Sequence, residues 1–127
     1  MEIVIDTNFI VSAVKERIDL FGNLDEIFGA YDLIVGEQVV RELKKLSVDK
    51  KLKVVEREAA AVSLVLLERA KVVEFDRKDV DAGIVRYVVG KKDLVVATLD
   101  RNLKERVGGK NNEVKFLIIR GKKVVLK

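Results

Sequence analysis

Two short apolar stretches of the chain each end in an aspartate at the point where a strand should meet a helix. They are EIVIDTN at residues 2–8, which contains Asp6, and LVVATLD at residues 94–100, which ends in Asp100. The carboxyl ends of parallel strands lie at one edge of a sheet, so these two carboxylates can meet there. Read singly, each is more simply a helix N-cap, but two strand-end aspartates in one sheet weaken that interpretation.

The absence of His and Cys narrows the chemistry that such a site could perform. Thiol nucleophiles, disulfides, thiolate metal sites and imidazole proton transfer are all excluded. A catalytic site in this chain would have to use carboxylates, hydroxyls, amides and a bound metal.

Glu42 is a third candidate, on a helix predicted to begin at residue 37. It follows Val39 by three residues and precedes Leu46 by four, which places it beside the apolar stripe rather than opposite it. The alternative is a boundary glutamate that pairs with Lys45 or with an arginine of a neighbouring helix.

Asp81 is a fourth candidate, with Ile84 and Val85 three and four residues after it on the same helix face. Its alternative is a first-turn acid that the helix dipole favours, with Asp79 as the N-cap. Four acids from four elements are suited to a hard divalent cation such as Mg²⁺ or Mn²⁺, which binds oxygen ligands. Crowded carboxylates have no good structural use, because like charges in one cleft repel each other.

The size and composition predict one compact domain spanning residues 1–127. Hydrophobic residues are 49% and charged residues 36% of the chain, a balance that is unlike that of disordered chains. The longest apolar stretch, residues 59–67, is about half of the ~20 residues needed to cross a bilayer, so no membrane contact is expected. The chain opens directly into a strand pattern without a basic leader, which predicts a cytoplasmic protein.

The charge distribution is uneven along the chain. Residues 101–127 carry nine basic and two acidic side chains, whereas residues 1–100 are slightly acidic. A basic end beside an acidic centre favours a polyanion partner, although exposed lysines also solubilise a fold and protect a sheet edge. The residues predicted to contact such a polyanion are Arg101, Lys104, Arg106, Arg120, Lys122 and Lys123.

Strand and helix patterns alternate along the whole chain, which predicts a mostly parallel five-stranded sheet between two helical layers. Predicted strands cover residues 3–5, 33–35, 72–74, 94–97 and 114–119, and residues 122–126 are expected to turn back as an edge hairpin. Predicted helices cover residues 9–14, 20–28, 37–46, 54–70, 80–89 and 101–107. The last helix is expected to stop at Gly108-Gly109.

Four segments in order resemble the motifs of PIN-domain ribonucleases. They are IDTNFI at 5–10, VVREL at 39–43, VDAGI at 80–84 and ATLDRNL at 97–103. The match covers essentially the whole chain. Residues 5–21 and 116–123 look most like archaeal relatives of the PIN nuclease that trims precursor ribosomal RNA.

The resemblance implies a sheet of order 3-2-1-4-5 and metal-dependent cleavage of single-stranded RNA, such as precursor ribosomal RNA. It assigns metal-site and catalytic roles to Asp6, Glu42, Asp81 and Asp100, with Thr98 as a supporting hydroxyl. The chain departs from the family pattern in two places. Ala82 stands where a second adjacent acid is frequent, for which Asp79 is a substitute, and Gly36-Glu37 stands where a proline is frequent.

Other classes of protein fit the sequence less well. A phosphoacceptor receiver domain would use Asp76, but it also needs an acidic pair after the first strand and a Lys where Arg120 stands. An Asp-x-Asp phosphatase is excluded by Asn8. Two alternatives stay open: a non-catalytic RNA-binding or ribosome-assembly scaffold, and the toxin ribonuclease of a toxin–antitoxin pair, held by an antitoxin or another protein partner. The oligomeric state, a homodimer included, is not determined by the sequence.

Overall fold

A computed structural model describes residues 1–75 and 79–127. Its strands are β1 (Glu2–Ile5), β2 (Asp32–Gly36), β3 (Lys71–Val73), β4 (Leu94–Ala97), β5 (Lys115–Arg120) and β6 (Lys123–Leu126). They form one sheet of order β3-β2-β1-β4-β5-β6, in which the first five are parallel and β6 is antiparallel. The predicted α/β class and the order 3-2-1-4-5 are confirmed, with the expected edge hairpin added as a sixth strand. Asp76, the receiver-type candidate, lies outside the described residues.

The helices are α1 (Thr7–Lys15), α2 (Leu20–Phe28), α3 (Glu37–Ser47), α4 (Val54–Leu66), α5 (Val80–Tyr87) and α6 (Arg101–Lys110). They cover the two faces of the sheet because the strands carry apolar residues on both sides. Ile3 and Ile5 of β1 pack into one core with α1 to α4. Val4, between them, points to the opposite face and packs into a second core with Ile84 of α5 and Leu103 of α6.

Two predicted helix ends are wrong. The helix predicted at 54–70 ends as α4 at Leu66, and a short 3₁₀ turn, Leu67–Arg69, follows it. The stop predicted at Gly108-Gly109 does not exist, because α6 continues through both glycines to Lys110 and ends at Asn111. A glycine ends a helix when it takes a left-handed conformation. Positive φ occurs at Gly29, Gly90 and Gly121, and at neither glycine of α6.

The turn between β5 and β6 is tight. Arg120 pairs with Lys123, so only Gly121 and Lys122 form the turn, with φ angles of 58° and 61°. Two positive φ values match the type I′ turn that suits the twist of a hairpin. The turn brings the last residues of the chain back along β5. Among the helices described, none is long and apolar enough to cross a membrane.

Candidate active site

Asp6 follows β1 directly and is the N-cap of α1, with 5% of its surface exposed. Its Oδ1 accepts a hydrogen bond of 2.8 Å from the backbone N–H of Thr7. Its Oδ2 accepts one of 3.0 Å from the hydroxyl of Thr98. Burial raises the pKa of Asp6, and these two hydrogen bonds oppose the rise. The carboxylate is therefore held in a fixed orientation.

Thr98 connects the two strand ends that the sequence singles out. The side chain is fully buried. While it donates to Asp6, its hydroxyl oxygen accepts a hydrogen bond of 3.1 Å from the backbone N–H of Asp100. Ile5 pairs with Ala97 in the sheet, so the residues that follow the two strands are neighbours. Thr98 thus fixes the start of α6 relative to the start of α1.

Asp100 is the N-cap of α6. Its Oδ1 accepts hydrogen bonds of 2.9 Å from Asn102 N–H and 3.3 Å from Leu103 N–H. The structural interpretation of Asp6 and Asp100 as N-caps is therefore confirmed. Capping does not exclude a second role, because one Oδ of a carboxylate is enough to cap a helix.

Asp81 lies in the first turn of α5, and Asp79 is the N-cap of that helix. Asp79 Oδ1 accepts a hydrogen bond of 3.2 Å from Asp81 N–H. Burial raises the pKa of Asp81 most, the charges of Asp79 and Asp100 raise it further, and Arg106 lowers it. The pKa of Asp6 is in turn raised by the charges of Asp81 and Asp100. Three aspartates from three elements therefore share one electrostatic environment, with Asp79 beside it.

Phe75 positions α5 at this edge of the sheet. It is buried in the second core, between the end of β2 and the first turn of α5. A Cβ added to Gly36 would lie 2.5 Å from its ring, and one added to Gly83 would lie 2.7 Å from its Cβ. Both glycines therefore make room for Phe75. Packing against Phe75 therefore explains why glycine stands at position 36, where the motif pattern given above frequently has proline.

Glu42 is not brought into this environment by any interaction among the described residues. It is exposed on α3, in a shallow depression lined by Gln38, Arg41 and Lys45. The charges that raise the pKa of Asp6 and Asp81 come from aspartates. The predicted ion pair of Glu42 with Lys45 is also absent from residues 1–75 and 79–127, where Arg41 pairs with Glu37 instead, at 3.8 Å. The catalytic role of Glu42 stays a prediction.

Basic residues adjoin the aspartates on α6. Arg106 lowers the pKa of Asp81. Burial lowers the pKa of Lys104, and the nearby charges of Lys127 and Arg101 lower it further. Sequence reasoning missed Lys127, because its place depends on the β6 hairpin, where its N–H donates 2.8 Å to Phe116 O. Arg120, Lys122 and Lys123 lie exposed at the hairpin turn. The RNA-binding roles of the six predicted residues stay predictions.

A parallel sheet of this order, with coupled aspartates at its carboxyl edge, defines a doubly wound α/β protein with an acidic site. Residues 3–122 match the family model described as PIN like domain. The chain therefore belongs to the PIN-like domain family.

Two curated relatives are similar in sequence. Ribonuclease VapC4 of Methanocaldococcus jannaschii is 26% identical over 123 residues, which cover 96% of this chain and 92% of the relative. The rRNA-processing protein fcf1 of Schizosaccharomyces pombe is 32% identical over 108 residues, 83% of this chain. That alignment spans only 52% of fcf1, about half its length.

Solved structures agree with the fold. The PIN domain endonuclease Utp24 superposes with a TM-score of 0.80 at 28% identity, over 99% of this chain and 90% of that one. VapBC2 from Rickettsia felis, bound to a DNA fragment from its promoter, gives a TM-score of 0.62 at 16% identity, over 91% and 98%. At that identity the likeness concerns the fold alone.

Proposed function

We propose that this protein is a metal-dependent endoribonuclease that hydrolyses phosphodiester bonds of single-stranded RNA. The observation that carries the proposal is the placement of three aspartates together. The hydroxyl of Thr98 donates to Asp6 and accepts from the N–H of Asp100. Burial and then the charge of Asp81 raise the pKa of Asp6. Ionised carboxylates gathered in this way destabilise a fold unless a cation joins them. The names of the relatives, a ribonuclease and an rRNA-processing protein, support the same activity.

The donor set suits Mg²⁺ or Mn²⁺, since each donor is a carboxylate oxygen. Across the two described segments, no three acidic side chains are arranged as a ready coordination cage. In proteins, Mg²⁺ keeps several waters and binds through one or two carboxylates directly. Asp6, Asp81 and Asp100 would hold the ion, directly or through its waters, and Glu42 and Asp79 are proposed at its periphery. The ion would supply Lewis-acid polarisation of the phosphate and a water of lowered pKa.

The residues of the chain have separable tasks in this proposal. Asp6 presents a fixed carboxylate, because Thr7 N–H and Thr98 hydroxyl each hold one of its oxygens. Thr98 keeps Asp6 and Asp100 in register. Arg106, beside Asp81, would bind a phosphate oxygen and offset the negative charge of the bound strand.

Two biological settings are supported by different matches. Processing of ribosomal RNA is supported by the likeness to the rRNA-processing protein fcf1, and endonuclease activity by the likeness to Utp24. The second candidate is a toxin ribonuclease with an antitoxin as protein partner. The likeness to Ribonuclease VapC4 along nearly the full length of each protein supports its ribonuclease activity. We propose the RNA-processing role as the first candidate, because the rRNA-processing protein fcf1 is 32% identical to this chain and VapC4 is 26% identical.

The experiment compares Asp6→Asn with the parent on a labelled single-stranded RNA, with and without Mn²⁺. Loss of one charge from the metal site should slow cleavage by at least about a hundredfold, since a bound metal supplies several kcal/mol. RNA binding should survive. Asp19→Asn is the matched control, because Asp19 is also an N-cap, exposed and bonded to Gly22 N–H at 3.1 Å.

The control should cleave as the parent does. Cleavage that persists in Asp6→Asn would contradict the assigned site. A parent protein that binds RNA and cleaves none with either metal would instead favour the non-catalytic scaffold.

A further inference from the structure

A second basic surface lies at the opposite end of α6 from Asp100. It is an open depression of about 520 Å³ between the C-terminal ends of α5 and α6. Its lining includes Gly108 and Gly109 of α6 and the lysines Lys91, Lys92 and Lys110. We call it the glycine–lysine depression. Since α6 rises about 1.5 Å per residue, the depression lies roughly 15 Å from the acidic edge.

The two glycines are not explained by the fold. Neither has a positive φ, so the backbone does not require glycine at either position. A Cβ added to Gly108 or Gly109 would meet nothing within 4 Å, so packing does not require glycine either. Glycine is the poorest helix former apart from proline, which makes two in one helix turn unfavourable. What they provide is a side-chain-free surface that lets a ligand approach the backbone closely.

The charges around this surface are positive and mostly free. The three lysines face one acid of the lining, Glu113. Lys91 lies over the ring of Tyr87, with its Nζ 4.3 Å from the centroid. Within residues 1–75 and 79–127, Lys92 and Lys110 form no ion pair. Lysines near a helix C-terminus also complement the helix dipole, but that effect gives no reason for the glycines.

The carbonyl groups at the end of α5 would repel an anion if they were free. Asn111 removes part of that repulsion, because its Nδ2 donates to Val88 O and to Lys91 O, each at 2.8 Å. Its Oδ1 accepts 3.1 Å from Glu113 N–H, which fixes the adjoining loop. Asn111 therefore links the end of α5 to the loop that follows α6.

One face of α6 joins the depression to the acidic edge. Arg106 acts on Asp81, and Gly109 and Lys110 follow Arg106 by three and four residues, which places them on the same helix face. Like charges four residues apart destabilise an isolated helix, so the spacing of Arg106 and Lys110 does not itself stabilise α6. We infer that the glycine–lysine depression binds the phosphate backbone of the RNA, about four nucleotides from the cleaved bond at 3.4 Å per stacked nucleotide. This inference rests on the proposed ribonuclease function.

The test measures RNA affinity without metal, so that it does not depend on cleavage. The variant combines Lys92→Gln and Lys110→Gln. It leaves Lys91 in place over the ring of Tyr87. For a single-stranded RNA of about twelve nucleotides, the log–log salt slope should fall in magnitude by about 1.4, and affinity at low salt should fall at least about fivefold. Competition by an RNA of about three nucleotides, too short to reach the depression, should be unchanged. The matched control is Lys50→Gln with Lys51→Gln, exposed between α3 and α4.

A second variant separates binding from folding. Gly109→Leu should raise the melting temperature, because Leu is a better helix former and the space is open. It should also weaken binding of the longer RNA, because the side chain would cover the surface. Two results would overturn the inference. One is a Gly109→Leu variant with a higher melting temperature and unchanged RNA affinity. The other is a Lys92→Gln, Lys110→Gln variant that binds RNA as its control does, and binding of an acidic protein to the depression would not rescue the inference. A parent that shows the lysine dependence but cleaves no RNA would contradict only the proposed activity.

Discussion

The two ends of the sheet treat their acidic residues in opposite ways. At the amino ends of the strands, each of three acids has a basic or hydroxyl partner. Asp32 pairs with Lys71 at 3.4 Å, and Asp93 pairs with the terminal amine at 3.6 Å. Glu2 accepts a hydrogen bond of 2.9 Å from the Tyr87 hydroxyl. At the carboxyl ends, burial raises the pKa of Asp6 and of Asp81 most, and the charges of neighbouring aspartates raise both further. The first arrangement serves stability. The second has a cost that a bound cation would remove.

The largest effect on stability should come from a cation at the carboxyl edge. Mg²⁺ or Mn²⁺ at a hundredfold excess over its dissociation constant should stabilise the parent by about 2.7 kcal/mol. Asp100→Asn should cancel most of this response, while Asn still caps α6. Thermal melts with and without metal make the measurement. If millimolar metal leaves the melting temperature of the parent unchanged, the proposed metal site is contradicted.

The basic hairpin should contribute to RNA binding and not to metal binding. Neutralising Arg120, Lys122 and Lys123 together should reduce the log–log salt slope by about 2, at roughly 0.7 per phosphate contact. A fourfold rise in salt should then weaken the parent about 20-fold more than the variant. Filter binding across a salt series, beside a metal melt, measures both properties. An unchanged salt slope would indicate that these residues protect the sheet edge and do not bind RNA.

The acidic edge should also change how stability depends on pH. The pKa of Asp6 is raised in the folded protein, so its ionised form destabilises the fold above that pKa. The penalty should be greatest near neutral pH and should disappear as pH falls to the ordinary carboxyl value of about 4. Metal-free Asp6→Asn should therefore be more stable than the parent at neutral pH, and the difference should close on acidification. Urea unfolding at several pH values measures it; a difference independent of pH would assign the effect to lost hydrogen bonds.

The amino edge should give the smallest effect. Asp32→Asn removes an ion pair in which both side chains are at least half exposed, and such pairs contribute about 0 to 1 kcal/mol. Its metal response should equal that of the parent. If Asp32→Asn weakened the metal response as strongly as Asp100→Asn, the difference between the two ends of the sheet would not hold.

Local patterns in the sequence were enough to place Asp6, Asp100 and Asp81 at helix starts. Apolar strand runs and N-cap chemistry act over a few residues, and the strand order came from the family resemblance. Contacts between distant residues were harder to foresee. The hydrogen bond from Thr98 to Asp6 joins residues 92 apart in the chain. The charge of Lys127 lowers the pKa of Lys104, and this proximity depends on the hairpin of β5 and β6, which brings the last residue back near α6.

The failed helix stop has a similar cause. Glycine permits a helix to end but does not force it to, and the contacts of the next residues decide the conformation at Gly108 and Gly109. Asn111, anchored on the end of α5, is the C-cap of α6. That anchor is a tertiary contact that no local pattern contains.

A crystal structure soaked with Mn²⁺ tests the central proposal most directly, because anomalous scattering locates the ion without reference to activity. We expect one strong peak at the carboxyl edge, within direct or water-mediated reach of Asp6, Asp81 and Asp100, and no peak in Asp6→Asn under the same soak. The same map would show whether Glu42 or Asp79 turns toward the ion. A parent crystal with no peak at millimolar Mn²⁺, or with a peak only at the amino edge, would contradict the proposal.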